Sequence, residues 1–163
     1  MLGSVLQKYT LAYPNIRFHL YTFEIQPEIL QIANTMVTLA QLQNIITVVP
    51  INLYLDGSID DISVLTTREM HKRNSTLFNN PQIHFLFIDH DKDRYLSDLK
   101  ALEFSGLIQQ GTCVVADNVI FAQIDDYLLY MRALQDKNIV MTNTIDCVVE
   151  YSHTKNIKDG IGK

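Results

Sequence analysis

His84-Phe85-Leu86-Phe87-Ile88-Asp89 and, further along, Cys113-Val114-Val115-Ala116-Asp117-Asn118 decide how this chain is read. Each is a short apolar run that stops at a carboxylate. Continuous apolar runs of this length suit strands covered on both faces, as in parallel sheets. Between them, residues 96–105 carry a helical pattern closed by Gly106, a residue that readily ends a helix. The unit strand–helix–strand is the element of an α/β sheet.

The same alternation continues outward. Upstream, residues 17–24 read as a strand, with Phe18, Leu20 and Thr22 alternating against His19, Tyr21 and Phe23. Pro27 opens a helix, and acidic Glu28 behind it suits the positive helix N-terminus. Ile29, Ile32, Ala33, Met36, Val37 and Ala40 then recur at helical spacing, and residues 45–51 give a second strand. Residues 4–13 form a short helix ended by Tyr13-Pro14-Asn15. Downstream, a helix over 124–137 carries Asp125 and Asp126 in its first turn, and residues 146–151 give a closing strand. Residues 52–81 are polar and irregular, with a short helix near 62–70, and are read as an insertion. The expectation is an α/β domain with a mostly parallel sheet.

Bulk properties narrow the class. At 163 residues, with 47% hydrophobic and 19% charged residues, the chain fits one globular domain over 1–163. A net charge of −5, from 13 basic and 18 acidic residues, argues against a nucleic-acid partner. The basic knot His71-Lys72-Arg73 lies among polar residues, as a solvated loop would. No apolar run reaches the roughly 18–20 residues that cross a bilayer, which speaks against a membrane role. The N-terminus lacks a signal-peptide pattern. Cys113 and Cys147 sit in apolar runs, as small core residues of a reducing compartment do, so a cytoplasmic location is expected.

Ligands of open parallel sheets bind beyond the carboxyl ends of the strands. Asp89, Asp117 and Asn118 therefore project hard oxygens toward one place, and three such groups suit Mg²⁺. Each alone has a plainer reading, as a helix cap or turn former. Lys92 lies three residues beyond Asp89. An ammonium beside a divalent cation loses its proton more readily, and a neutral lysine is a general base. The plainer reading of Lys92 is a solvated charge at the start of a helix.

Phe87-Ile88-Asp89-His90-Asp91-Lys92-Asp93-Arg94-Tyr95, followed by Ala116-Asp117-Asn118-Val119-Ile120, resembles the signature of the catechol O-methyltransferases, and Val149-Glu150-Tyr151 falls where they carry a late glutamate. The resemblance implies a Rossmann-like S-adenosylmethionine-dependent methyltransferase fold. It implies Asp89, Asp117 and Asn118 as Mg²⁺ ligands, Lys92 as the base and Glu150 as the residue that orients a catechol-type acceptor. Glu24, with Ile25 beside it, matches the acidic residue that holds the donor's ribose, and His90 matches a residue beside the adenine. Two further readings stay open: the related caffeoyl-coenzyme A type, from which His90 and Arg94 lean away, and a non-catalytic remnant of the family.

The departures from the pattern carry expectations too. The family's first, central strand and its glycine-rich turn are not found; Gly3-Ser4 resembles only the tail of that turn, leaving Ser4 as a contact for the donor carboxylate. Lys158-Asp159-Gly160-Ile161-Gly162-Lys163 resembles the approach to a last strand that is itself missing. The chain is thus expected to be an incomplete domain, marginally stable and catalytically weak or inactive. Asp91 stands where an aromatic residue packs on adenine, Pro50-Ile51-Asn52-Leu53-Tyr54 does not reproduce the adenine-side loop, and Phe121-Ala122-Gln123 replaces a proline-containing turn.

Overall fold

Each apolar run read as a strand forms one within the residues that the computed structural model describes, 2–55, 58–73, 81–148 and 158–162, so that positions 149–151 of the closing run lie outside them. The chain divides into two units, residues 1–68 and 69–163.

The first unit contains α1 (Leu2–Ala12), β1 (Leu20–Glu24), α2 (Pro27–Leu39) and β2 (Ile46–Pro50). The strands β1 and β2 pair in parallel, with Leu20 opposite Ile46 and Glu24 opposite Pro50. Pro27 occupies the first turn of α2, where its missing N–H costs nothing. Helix α2 ends at Ala40, and Gln41 reverses the chain with φ 56°. Gly3 packs so close to β2 that an added Cβ would lie 2.5 Å from Ile46 Cδ1. The buried hydrophobic residues here are few: Leu42, Ile45, Val49 and Leu65. No residue of α2 is buried; Leu30, Ala33 and Val37 form its half-buried face.

The stretch read as irregular contains more order than its composition suggested. A bridge joins Leu53 to Ile59, and Asp60 accepts hydrogen bonds from Asn52 and the Tyr54 hydroxyl. Helix α3 (Ile62–Arg73) starts at Asp61, whose carboxylate accepts from the Ser63 amide at 2.7 Å. That is an N-cap, supplied by a residue suited to it.

The second unit holds β3 (Phe85–Ile88), α4 (Tyr95–Phe104), β4 (Cys113–Ala116), α5 (Asp125–Asp136), β5 (Thr144–Val148) and β6 (Lys158–Gly162). The strand order is β3-β4-β6-β5, with β3 and β4 parallel and β6 antiparallel to both of its neighbours. The expectation that the last strand is missing is corrected by β6. Its two glycines hid it from a search for apolar alternation, and they are what lets it fit. A Cβ on Gly160 would meet Ile120 Cγ1 at 2.5 Å and Thr144 Cγ2 at 2.9 Å. The core of this unit joins Ile88, Tyr95, Leu99, Ala116, Val119, Ile124, Tyr127 and Met131. Gly106 ends α4 with φ +74°, as its sequence position implied.

Among the described residues, β1 pairs with β2 alone and β3 with β4 alone, so each has one edge without a partner strand. Among them, too, no helix is long and apolar enough to cross a membrane.

Candidate active site

The parallel register of β3 and β4 sets Ile88 opposite Ala116, so Asp89 and Asp117 emerge side by side at the carboxyl ends. The Asp117 amide donates to the Ile88 carbonyl at 3.0 Å, extending the ladder by one residue. Asn118 then takes φ 57°, the left-handed region that asparagine tolerates better than most residues. Its amide N–H donates to Asp117 Oδ1 at 2.8 Å.

Lys92 sits in a short 3-10 turn, Lys92–Arg94, capped by the Asp91 carboxylate, which accepts from the Asp93 amide. This turn leads directly into α4 and folds the lysine back over the strand ends. Lys92 Nζ donates to Asp89 Oδ1 at 3.0 Å, to Asn118 Oδ1 at 3.3 Å and to the Tyr95 hydroxyl at 2.6 Å. The Tyr95 hydroxyl donates in turn to the Asp117 carbonyl at 3.1 Å. Tyr95 is fully buried, its ring edge-on to Tyr127. Three residues from two strand ends and a helix start, Asp89, Asn118 and Tyr95, therefore meet around the Lys92 ammonium group.

The electrostatics follow from this packing. Burial pulls the Lys92 pKa down, but the hydrogen bonds to Tyr95 and Asp89 outweigh it and leave it raised. Burial raises the Tyr95 pKa against the opposing pull of Lys92, and the charges of Asp89 and Asp117 both push it further up.

The donor set fits a hard divalent cation. Two carboxylates and one amide carbonyl are the oxygen donors Mg²⁺ takes, and a cation, the Lys92 ammonium, already lies within hydrogen-bonding reach of two of them. The set is not an all-acid cluster: among the described residues no three His, Cys, Asp or Glu side chains gather as a metal site.

Asn118 has one further partner. Its Nδ2 donates to Asp159 Oδ2 at 2.7 Å, and Asp159 is 3% exposed on β6. Burial raises the Asp159 pKa, but hydrogen bonds from Asn118 and from the Phe121 and Gly160 amides outweigh it and lower it.

His90 Nε2 shares a hydrogen bond of 2.9 Å with Asp98 Oδ2, while Arg94 Nη2 binds Oδ1 of the same carboxylate at 2.8 Å. The His90 ring lies 5.2 Å from that of Tyr95. Ser4, Glu24 and Ile25 belong to the first unit. Ser4 is exposed on α1, and Ile25 is exposed just past β1. Glu24 Oε1 accepts from the Gln26 amide at 2.7 Å, the local capping that its position before Pro27 also suited. Glu150 lies outside the described residues.

Sequence reading missed Tyr95 and Asp159. Tyr95 had a signal: Asp89, Lys92 and Tyr95 are spaced by three, so a helical turn stacks them. Asp159 had none, being 41 positions from the residue it holds.

These elements build a Rossmann-like α/β fold of the kind seen in solved O-methyltransferases. The crystal structure of the O-methyltransferase TomG from Streptomyces achromogenes, in complex with SAM, superposes with TM-score 0.58 at 16% identity, over 88% of this chain and 60% of that one. Catechol O-methyltransferase of Bos taurus is 36% identical over 129 residues, 79% of this chain and 42% of the relative. The enzyme of that name from Sus scrofa is 34% identical over 79% of this chain and 61% of its own length. Over the matched stretch, the chain is similar in sequence to these catechol O-methyltransferases. It spans roughly half the length of these curated relatives, between 42% and 61%. No family model matches the chain.

Proposed function

We propose that the protein moves a methyl group from S-adenosylmethionine to a catechol-type hydroxyl chelated by Mg²⁺. What supports this reading most is one observation: Lys92 Nζ stands between Asp89 Oδ1 and Asn118 Oδ1, with Asp117 beside them. Asp89, Asp117 and Asn118 would hold the ion, and relatives named catechol O-methyltransferase carry the matched stretch. Mg²⁺ makes a chelated hydroxyl more acidic, and the sulfonium donor supplies the methyl.

The chain's own residues do the rest. Lys92 Nζ takes the proton from the acceptor hydroxyl, which requires its neutral form. The raised pKa it has here is set by Tyr95 and Asp89, and extra positive charge nearby would lower it. Tyr95, fixed by the core and by the Asp117 carbonyl, keeps Nζ at the strand ends rather than in solvent. Such positioning supplies much of the rate of a displacement reaction. Glu150 is assigned to orient the second acceptor hydroxyl, and Ser4, Glu24, Ile25 and His90 to the donor. A soluble location in the cytoplasm suits a small-molecule acceptor.

Transfer of labelled methyl from S-adenosylmethionine to catechol tests the proposal. The expected result is transfer that needs Mg²⁺, stops with chelator, and fails on a coenzyme A ester. Transfer to catechol that is indifferent to chelator would overturn it.

A further inference from the structure

We infer that Asp159 is a positioning residue: it fixes which end of the Asn118 side chain faces the strand ends. The inference rests on the reading of Asn118 as a metal ligand. A side-chain amide is nearly symmetric in shape, so nothing steric prevents its oxygen and nitrogen from changing places. At a cation site the two orientations are opposites, since the carbonyl oxygen is a ligand and the NH₂ group is not. Something must choose between them.

The choice is made on β6. The Asp159 carboxylate is buried and only accepts hydrogen bonds. Its Oδ1 accepts from the Phe121 amide at 3.0 Å and the Gly160 amide at 2.7 Å, and its Oδ2 accepts from Asn118 Nδ2 at 2.7 Å. A flipped Asn118 would set its carbonyl oxygen against that carboxylate. The orientation with Nδ2 toward Asp159 leaves Oδ1 facing Lys92 Nζ, the direction of Asp89. The backbone cooperates: Asn118 is held in the left-handed region, and Val119 N donates to the Gly160 carbonyl at 2.9 Å, tying the turn to β6. Gly160 permits the approach, because a Cβ there would collide with Ile120 and Thr144.

An isosteric change makes the inference testable. In Asp159→Asn, the new Oδ1 is kept by the Phe121 and Gly160 amides. The new NH₂ group then faces Asn118 and turns its carbonyl away from the strand ends. The exchanged pair, Asn118→Asp with Asp159→Asn, restores both a hydrogen bond between the two side chains and an oxygen toward Asp89 at unchanged net charge.

Two measurements separate this inference from the metal reading beneath it. Mn²⁺ titration followed by electron paramagnetic resonance should show Asp159→Asn weakening binding about 10- to 100-fold, as loss of outer-shell partners does. The exchanged pair should recover most of that loss. In metal-free protein, the Asn118 side-chain amide protons should exchange slowly with solvent in the wild type and at least about 10-fold faster in Asp159→Ala, since a buried charge-assisted hydrogen bond is removed. If the wild type takes up no Mn²⁺, the metal reading fails, and the amide exchange alone decides whether Asp159 orients Asn118. If Asp159→Asn lowers the melting temperature but keeps wild-type Mn²⁺ affinity, and Asp159→Ala keeps wild-type amide exchange, Asp159 is merely structural and the inference is wrong.

Discussion

In residues 69–163 a core closes around large side chains even though Phe104 and Met141 stay exposed: Tyr95 is 0% exposed and Tyr127 2%, and they meet edge to face beneath the strand ends. In residues 1–68 they are mostly in view. Ile29, Ile32, Met36 and Leu39 of α2 are exposed, Leu39 by 75%, and α2 buries nothing. The two regions have similar apolar runs in sequence but differ in what the runs accomplish. Where a core closes over Tyr95 and Val119, the polar groups next to it are held to within a hydrogen bond of one another. Where the core is thin, Glu24, which is assigned to the donor, is bonded locally to Gln26.

Substitutions at matched positions should magnify this contrast. Replacing Tyr127 by alanine removes a ring at the centre of the second unit, and a loss of about 3–5 kcal/mol is expected from urea midpoints. Met36→Ala, on the exposed stripe of α2, should stay within about 0.5 kcal/mol. Equal losses at the two sites would dissolve the comparison. Next in size is Lys92→Met. Methyl transfer should fall at least about 100-fold, equivalent to roughly 2.7 kcal/mol of barrier, while donor affinity is kept.

Glycine positions give a finer contrast. Gly160→Ala meets Ile120 and Thr144 on two sides, and overpacking there should cost about 1–3 kcal/mol by thermal melting. Gly3→Ala meets mainly the tip of Ile46, which can turn aside, and α1 gains up to about 1 kcal/mol of helix propensity. The net change at Gly3 should be near zero. A further contrast concerns pH. Burial pushes the Tyr127 pKa from 10.0 up to about 12, so the folded state holds its proton where the unfolded state releases it. The corresponding stability is intact below pH 10 and is lost as pH rises toward 12. Urea midpoints measured across that window should decline, and Tyr127→Phe should flatten part of the decline.

Much of the second unit was legible because period and chemistry coincide there. Apolar runs ending in Asp89 and Asp117 announce parallel strands and a shared rim at once, and Gly106 marks the end of α4. The remainder was hidden for identifiable reasons. Helical spacing in α2 showed that an apolar stripe exists, but spacing is silent on what covers a stripe, and Ile29, Ile32 and Met36 turned out exposed. Strand β6 lacked apolar alternation because its glycines serve close approach instead. Asp159 was invisible because the amide it holds is distant in sequence, and only an antiparallel strand inserted between β4 and β5 brings them together.

Calorimetric titration of catechol into the wild type and into Asp117→Ala, with and without Mg²⁺, tests the shared cation directly. Catechol should bind the wild type only when Mg²⁺ is present and should not bind Asp117→Ala under either condition. Binding of equal strength in all four titrations would contradict the assignment of Asp89, Asp117 and Asn118 to a metal.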